Sequence, residues 1–579
     1  MFSDNKVVQQ LLSLMKQNEI YDVVISPGSR HYSITKSLES LSEFNLYSVV
    51  DERSAAFFAL GLIQKLKKPV AICCTSGTSA ANYISATVEA YYQELPLLVI
   101  TADRLPQLLG QKEEQMFKQD DVFKGFTKFH AQIPPVEDTI SEWYCNRVLN
   151  ESLLALYRFG KGPVHINLPI ERHDLDTFSM KVLPLARKIK LHGISSDRFR
   201  DPISQASEEL SKKKLMILWG QSEPMSHSLR NKLDLFCEKF NCVIISDKLS
   251  NCHHSSSIEF GFPIFKAMNS LEKDQLFPDI VVTMFGNSTF NNDVKGYLKR
   301  HLTKVEHWDI SCKGDVCDPF GRLSRIFEMS EVDFFDQILA QNDFVNPDAG
   351  KYFKDWKNVE NQLIEPEDSY GEIAAIGKLM KRIPSNSCLQ IANSLPIRIA
   401  HLFGLDKSVV VYCNRGVNGI DGCMSTAVGY AAASDELVFL LIGDLTFFYD
   451  MNALWNRHLS SNLRVLLLNN EGGGVMHLPL KNEQAEDISK HVSAGHSTNA
   501  RGWAESVGIN YFPVTQEQEL ENGLDLLISN SEKPIIVEVF TKKERDVSDY
   551  RSFFRKLNRD TLQDKVVQKL KNSIKGSFL

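Results

Sequence analysis

The chain has 579 residues, 43% hydrophobic and 24% charged, with 65 lysines and arginines against 72 acids and a net charge of −7. That length and apolar content suffice for about three domains, and the acidic balance gives no basis for nucleic-acid binding. No run of roughly 18 apolar residues is present to cross a bilayer, and the amphipathic start lacks a signal-peptide core, so a cytoplasmic location is expected.

In chain order, Val23-Val24-Ile25, Val49-Val50, Val70 to Cys74, Leu97 to Ile100 and Val164-His165-Ile166 read as parallel strands alternating with helices. They define a first domain over 1–185, with functional residues expected at the strands' C-terminal ends. Leu46 to Val50 leads into Asp51-Glu52-Arg53 and then into the apolar helix Ser54 to Gly61. Glu52 at that junction is expected to be buried, although the macrodipole alone would favour an acid there. A second unit over 190–345 holds Leu215 to Gly220, Val243 to Asp247 and Ile280 to Gly286. A linker with one helix follows over 346–370. A third domain over 371–540 repeats the logic of the first. The expected class is therefore α/β, with three doubly wound parallel-sheet domains.

The tail over 541–579 differs in kind, with 11 Lys or Arg against 5 Asp or Glu. Phe553, Phe554, Leu557, Leu562, Val566, Leu570 and Ile574 recur at helical spacing, which predicts a terminal helix packed on its own protein with a solvated basic face. A basic amphipathic helix can also meet an anionic membrane, but membrane-surface contact is not the expectation here. The eleven cysteines include Cys73, Cys74 and Cys242 in apolar strand-like runs, where free cysteine is a small hydrophobe, and no disulfide framework is expected.

The most informative chemistry lies in the third domain. The buried strand Leu437 to Ile442 ends at Gly443-Asp444, and a second, Val465 to Leu468, ends at Asn469-Asn470 before Glu471-Gly472-Gly473-Gly474. Neighbouring strands that end in oxygen donors can hold one hard cation together with a diphosphate, and backbone beside glycine can approach closely. Asp444, Asn470 and the carbonyl of Gly472 are the expected metal ligands. This layout points to thiamine diphosphate with Mg²⁺, Mn²⁺ being a possible substitute. Activating that cofactor needs a carboxyl group against its aminopyrimidine in a water-poor pocket, and Glu52 is the candidate.

The blocks Ser26-Pro27-Gly28-Ser29-Arg30, Asp51-Glu52-Arg53, Thr75-Ser76-Gly77-Thr78, Thr101-Ala102-Asp103-Arg104, Asn414-Arg415-Gly416, Gly419-Ile420-Asp421-Gly422 and Gly443-Asp444-Leu445 closely resemble the menaquinone-pathway 2-succinyl-5-enolpyruvyl-6-hydroxy-3-cyclohexene-1-carboxylate synthases, in that family's order. The resemblance implies pyrimidine-binding, central and diphosphate-binding domains. It also implies decarboxylation of 2-oxoglutarate and 1,4-addition of the resulting enamine to isochorismate. It assigns cofactor contacts to Glu52, Ile420, Gly443, Asp444, Leu445 and Asn470. Because both substrates are dicarboxylates, cations and strong donors must grip them: Ser29, Arg30, Arg104, Gln115, Ser394, Arg398 and Arg415. The superfamily's cofactor lies between the first domain of one subunit and the third domain of another, so a homodimer or tetramer is expected.

The sequence departs from the pattern in the central domain. The family's adjacent Lys-Arg pair, about six residues past a Phe-Gly step, falls here on Asn292 and Asp293 after Phe285-Gly286. His31-Tyr32 likewise replaces small residues after the first loop. The alternative is a related thiamine-diphosphate-dependent decarboxylase or carboligase with another acceptor. A non-catalytic subunit is disfavoured, because such a chain has no need of Glu52, Asp444 and Asn470 together.

Overall fold

The computed structural model describes residues 1–170, 177–191, 200–341, 344–367, 370–479 and 491–559. Among them are three six-stranded sheets in which the strands pair in parallel. The first contains β1 (Asp22–Ile25), β2 (Asn45–Ser48), β3 (Val70–Cys74), β4 (Leu97–Asp103), β5 (Phe129–Gln132) and β6 (Val164–Pro169). The central sheet contains β7 (Leu215–Trp219), β8 (Cys242–Ile245), β9 (Ser257–Ile258), β10 (Ile280–Met284), β11 (Glu306–Ile310) and β12 (Leu323–Phe327). The third contains β13 (Cys388–Ile391), β14 (Val410–Tyr412), β15 (Val438–Gly443), β16 (Leu463–Asn469), β17 (Asn510–Val514) and β18 (Ile535–Phe540).

The first sheet runs β2-β1-β3-β4-β6-β5 and the third β14-β13-β15-β16-β18-β17, which is the same order repeated. The central sheet runs β12-β11-β10-β7-β8-β9, with its reversal between β7 and β10. The expected α/β class of three parallel domains is what the structure has. Val49 and Val50 lie past the end of β2, although the Val49 N–H still bonds Ile25 O at 3.0 Å.

Two helices join the first and third sheets. Glu52–Leu66 begins at the Asp51 cap, whose carboxylate accepts from Ser54 N, and it buries almost every side chain from Ser54 to Gln64. It crosses Cys423–Ala432 with backbones in contact: a Cβ on Gly61 would lie 2.0 Å from Thr426 O, and one on Gly429 2.0 Å from Phe58 O. Glycine is therefore required on both sides of the crossing. The apolar core continues through this pair from Val24, Ile72 and Val99 to Leu440, Val465 and Leu467. The opposite face of the third sheet shares a core with the central domain, through Leu466, Phe403, Trp356 and Phe265.

The central domain also meets the edge of the third sheet. Asn251, in a left-handed conformation, accepts from Val411 N at 2.9 Å and donates to Val411 O at 3.0 Å. The linker helix is Lys351–Glu360, with Tyr352 and Trp356 buried. The terminal helix Lys543–Leu557 buries Phe553 and Leu557 as its pattern predicts. Leu562, Val566, Leu570 and Ile574 lie outside the described residues. Among the described residues no helix is long and apolar enough to cross a membrane.

Candidate active site

β15 passes directly into the helix Asp444–Tyr449, and its neighbour β16 ends at Asn469. Gly443 is in register with Leu468, so Asp444 comes level with Asn469, and Asn470 follows one residue on at the same C-terminal edge of the sheet. Asp444 and Asn470 are buried, at 3% and 4% exposure. Asp444 Oδ1 accepts from Leu445 N at 2.6 Å and Oδ2 from Gly472 N at 2.9 Å, which pins the loop after β16 onto the acid. Gly472 has φ +147°, and a Cβ there would lie 2.8 Å from Ser493 O, so only glycine brings this backbone so close.

The residues fit a hard cation. Asn470 Oδ1 is buried with no hydrogen-bond partner, while its Nδ2 donates to Glu372 Oε1 at 2.8 Å. An orphaned carbonyl oxygen beside a buried carboxylate is costly unless a donor or cation faces it. Carboxylate, amide and backbone carbonyl oxygens are the donors magnesium prefers. Asn469 is occupied otherwise, donating to Thr498 O and Glu538 Oε1. His496 Nε2 lies 3.2 Å from Asp444 Oδ2 without hydrogen-bond geometry, and the aspartate raises the imidazole's pKa. Burial, with Asp546 and Asp444 nearby, pushes the Glu372 carboxyl well up. His496 and Glu372 had no signal in the sequence, since Gly371-Glu372 before an apolar helix reads as an ordinary N-terminal acid.

The expected substrate cations of the third domain converge. Ser394, with φ +79°, precedes the helix Leu395–Ala400, and its carbonyl accepts from Arg398 Nη1 at 2.6 Å. Arg415 is buried, donates from Nη1 to Asn393 Oδ1 at 3.1 Å, and leaves its Nε without a hydrogen bond. Burial, with a further push from Arg415, lowers the Arg398 pKa. Asn287, at the end of the central Phe285-Gly286 loop, donates to Arg415 O at 3.1 Å and brings that domain onto the site. The loop is braced from the first domain, where the buried Glu89 accepts from Gly416 N at 2.7 Å and Val417 N at 2.8 Å. Ile420 is exposed nearby on the same loop.

Asp293 does not stand alone in this region. Its Oδ1 is 3.5 Å from Lys266 Nζ, and the ammonium lies over the Phe262 and Phe554 rings at 4.5 and 5.0 Å. Burial raises the Asp293 pKa, with Lys266 and then Arg398 opposing. A cation is therefore present where Asn292 and Asp293 had suggested none, supplied by the helix Gly261–Ala267.

In the first domain, Glu52 Oε1 accepts from Ser79 Oγ at 2.7 Å and Oε2 from Asn82 Nδ2 at 3.1 Å. It is half-buried, less enclosed than expected, because it occupies the first turn of its helix. Gly28 packs on Thr75, whose Oγ1 accepts from Arg30 N at 3.3 Å, and Arg30 Nη1 donates to Ile170 O at 3.2 Å. Ser29 is exposed beside it. Arg104 Nε donates to Glu114 O at 2.8 Å, which holds the loop that carries Gln115. Gln115, at φ +55°, presents its backbone to Gly77. His31 is buried, and desolvation lowers its pKa to about 4.

Residues 5–122 match the family model described as thiamine pyrophosphate enzyme, N-terminal TPP binding domain, and residues 398–539 match the corresponding C-terminal TPP binding domain. Paired with the repeated parallel sheets and the Asp444–Asn470 edge, these matches define a thiamine-diphosphate-dependent enzyme. The chain is 38% identical to the 2-succinyl-5-enolpyruvyl-6-hydroxy-3-cyclohexene-1-carboxylate synthase of Bacteroides fragilis, over 96% of this chain and 100% of that protein. It is likewise 38% identical to the synthase of that name from Phocaeicola vulgatus, over 96% and 99%, and 31% identical to that of Flavobacterium johnsoniae, over 95% and 99%. The chain belongs to the 2-succinyl-5-enolpyruvyl-6-hydroxy-3-cyclohexene-1-carboxylate synthase family.

Proposed function

We propose that this protein decarboxylates 2-oxoglutarate and adds the remaining four-carbon unit to isochorismate in a 1,4-addition, a step of menaquinone biosynthesis. The observation that carries this reading is 38% identity, over nearly the whole chain, to a synthase of that name.

Thiamine diphosphate, when bound, supplies the carbon nucleophile and takes up the electron pair released with carbon dioxide. Asp444, Asn470 and the Gly472 carbonyl would hold Mg²⁺ on its diphosphate, with Gly443, Leu445 and Ile420 against the cofactor. Glu52 would give and take the proton at the aminopyrimidine, with Ser79 and Asn82 orienting its carboxylate. Ser394, Arg398 and Arg415 would bind the 2-oxoglutarate carboxylates, where burial strengthens each charge-assisted bond. Ser29, Arg30, Arg104 and Gln115, from the first domain, would bind isochorismate with Lys266. A complete site then takes the first domain of one subunit and the third domain of another, so the active species is at least a homodimer. Light scattering that finds an active monomer would remove that part.

The deciding experiment incubates the protein with thiamine diphosphate, Mg²⁺, 2-oxoglutarate and isochorismate and identifies the product by mass. The expected product is the named carboxylate plus one carbon dioxide per turnover. Carbon dioxide release with no isochorismate consumed would assign the chain a different acceptor.

A further inference from the structure

The side-chain amide of Asn470 has two ends of similar size and opposite character. Only one orientation turns a carbonyl oxygen toward a cation; the other presents two N–H donors and repels it. Asp444 Oδ2, on the same edge, accepts from Gly472 N, and Asn470 Oδ1 makes no hydrogen bond. The orienting contact comes from behind, where Asn470 Nδ2 donates to Glu372 Oε1 at 2.8 Å. Glu372 is 2% exposed and leads the helix Glu372–Met380.

Glu372 is itself held in place. Its backbone N–H donates to Asp546 Oδ1 at 3.0 Å, and Asp546 Oδ2 accepts from Thr541 Oγ1 at 2.6 Å. Thr541 N donates in turn to Asn469 O at 2.9 Å. The hydrogen bonds thus form a ring that leaves the chain at Asn469 and returns at Asn470. The frame fixes the Glu372 backbone, and its buried carboxyl, bonded through Oε1 to Asn470 Nδ2 with Oε2 making no hydrogen bond, holds the amide by that one contact in a dry site, where its loss is expensive.

We infer that Glu372 is a positioning residue for the cation: it fixes the Asn470 amide so that Oδ1, and not Nδ2, faces the metal. The inference rests on the reading of Asp444, Asn470 and Gly472 as the metal ligands. Groups that orient a metal ligand from behind commonly change metal affinity by ~10–100-fold when removed.

The test measures Mg²⁺-dependent binding of thiamine diphosphate to the full-length protein by tryptophan fluorescence and calorimetry, and follows Mn²⁺ binding by electron paramagnetic resonance. Glu372→Leu should raise the Mg²⁺ concentration needed for half-saturation by about tenfold or more. Glu372→Gln, which keeps an acceptor oxygen for Nδ2, should stay within about threefold of the parent, a rescue that mere loss of packing would not give. Asn470→Ala is the control: if it leaves Mg²⁺ dependence unmoved, the ligand reading fails and the inference with it. If Asn470→Ala weakens binding and Glu372→Leu does not, the ligand reading stands and the inference about Glu372 is overturned. Should Glu372→Leu not fold, the unsubstituted protein still decides the matter. The Asn470 side-chain amide protons, assigned by their disappearance in Asn470→Asp, should remain protected from exchange with Mg²⁺ and thiamine diphosphate bound, and free exchange would overturn the inference.

Discussion

Lys266 Nζ lies 3.5 Å from Asp293 Oδ1, and this pair sits in the field of Arg398. The acid that fell on an expected basic position is thus partly neutralised by a cation from a neighbouring helix. Lys266→Met should raise the KM for isochorismate about tenfold or more, because it leaves Asp293 unpaired beside the incoming carboxylates. Asp293→Arg should lower that KM, and neither change should move the KM for 2-oxoglutarate by more than about twofold. Steady-state kinetics with each substrate varied separately checks this, and equal shifts for both substrates would place Lys266 outside the acceptor site.

Glu52→Gln keeps a side chain that Ser79 and Asn82 can still bond, so folding should be unaffected. Turnover should fall by ~10²–10⁴-fold, the usual contribution of a positioned acid-base group. Circular dichroism together with carbon dioxide release checks both halves. Near-normal turnover would show that another residue handles the proton.

Asp444→Ala removes the carboxylate that accepts from Leu445 and Gly472, and with it the anchor of the Gly472 loop. Thiamine diphosphate binding should weaken by about tenfold or more, as removal of a charged, buried acceptor implies, and activity should demand more Mg²⁺. Titration calorimetry at two Mg²⁺ concentrations is the check.

Much of this architecture was legible because buried parallel strands write themselves as apolar runs: β3, β7, β10, β15 and β16 stand where Val70, Leu215, Ile280, Val438 and Val465 suggested. β11 was not legible. Its sequence, Glu306–Ile310, alternates with charge, and its polar members find tertiary partners, Thr283 Oγ1 bonding His307 Nε2 at 2.8 Å and Lys213 Nζ donating to Glu306 Oε1 at 2.8 Å. Asp444 and Asn470 could be paired from sequence because each ends a strand. Lys266 and Glu372 could not, since each reaches the site from a distant helix and local pattern carries no record of tertiary neighbours.

The crossing of Glu52–Leu66 over Cys423–Ala432 should tolerate no added methyl group. Gly429→Ala would press a Cβ to 2.0 Å from Phe58 O, and backbone cannot yield as a side chain does. Overpacking of this kind costs about 1–3 kcal/mol or more, so the melting temperature should drop by several degrees. An unchanged melting temperature would mean that the helices separate without cost.

Buried neutral imidazoles give the stability a definite pH dependence. Burial lowers the His401 pKa to about 4, although Asp247 opposes it, and the ring bonds Thr289 Oγ1 at 2.7 Å. Unfolded histidine titrates near about 6.5, so between these values the unfolded chain binds the extra proton and stability falls as pH falls. His401→Gln should therefore lessen the acid slope by about 1.4 kcal/mol per pH unit across that window. Urea unfolding at several pH values from neutrality down to pH 5 measures it, and an identical slope in both proteins would show that His401 takes up its proton in the fold as readily as in the unfolded chain.

The two bonds between Asn251 and Val411 imitate one rung of a β-ladder, made by a side chain in place of a strand. β14 is the outer strand of its sheet, and an open strand edge invites pairing with any other chain. The central domain therefore serves as a molecular bumper for that edge. A shortened protein that joined only the two cofactor-binding domains would retain the residues for thiamine diphosphate, yet present a bare edge at Val410–Tyr412 and self-associate through it.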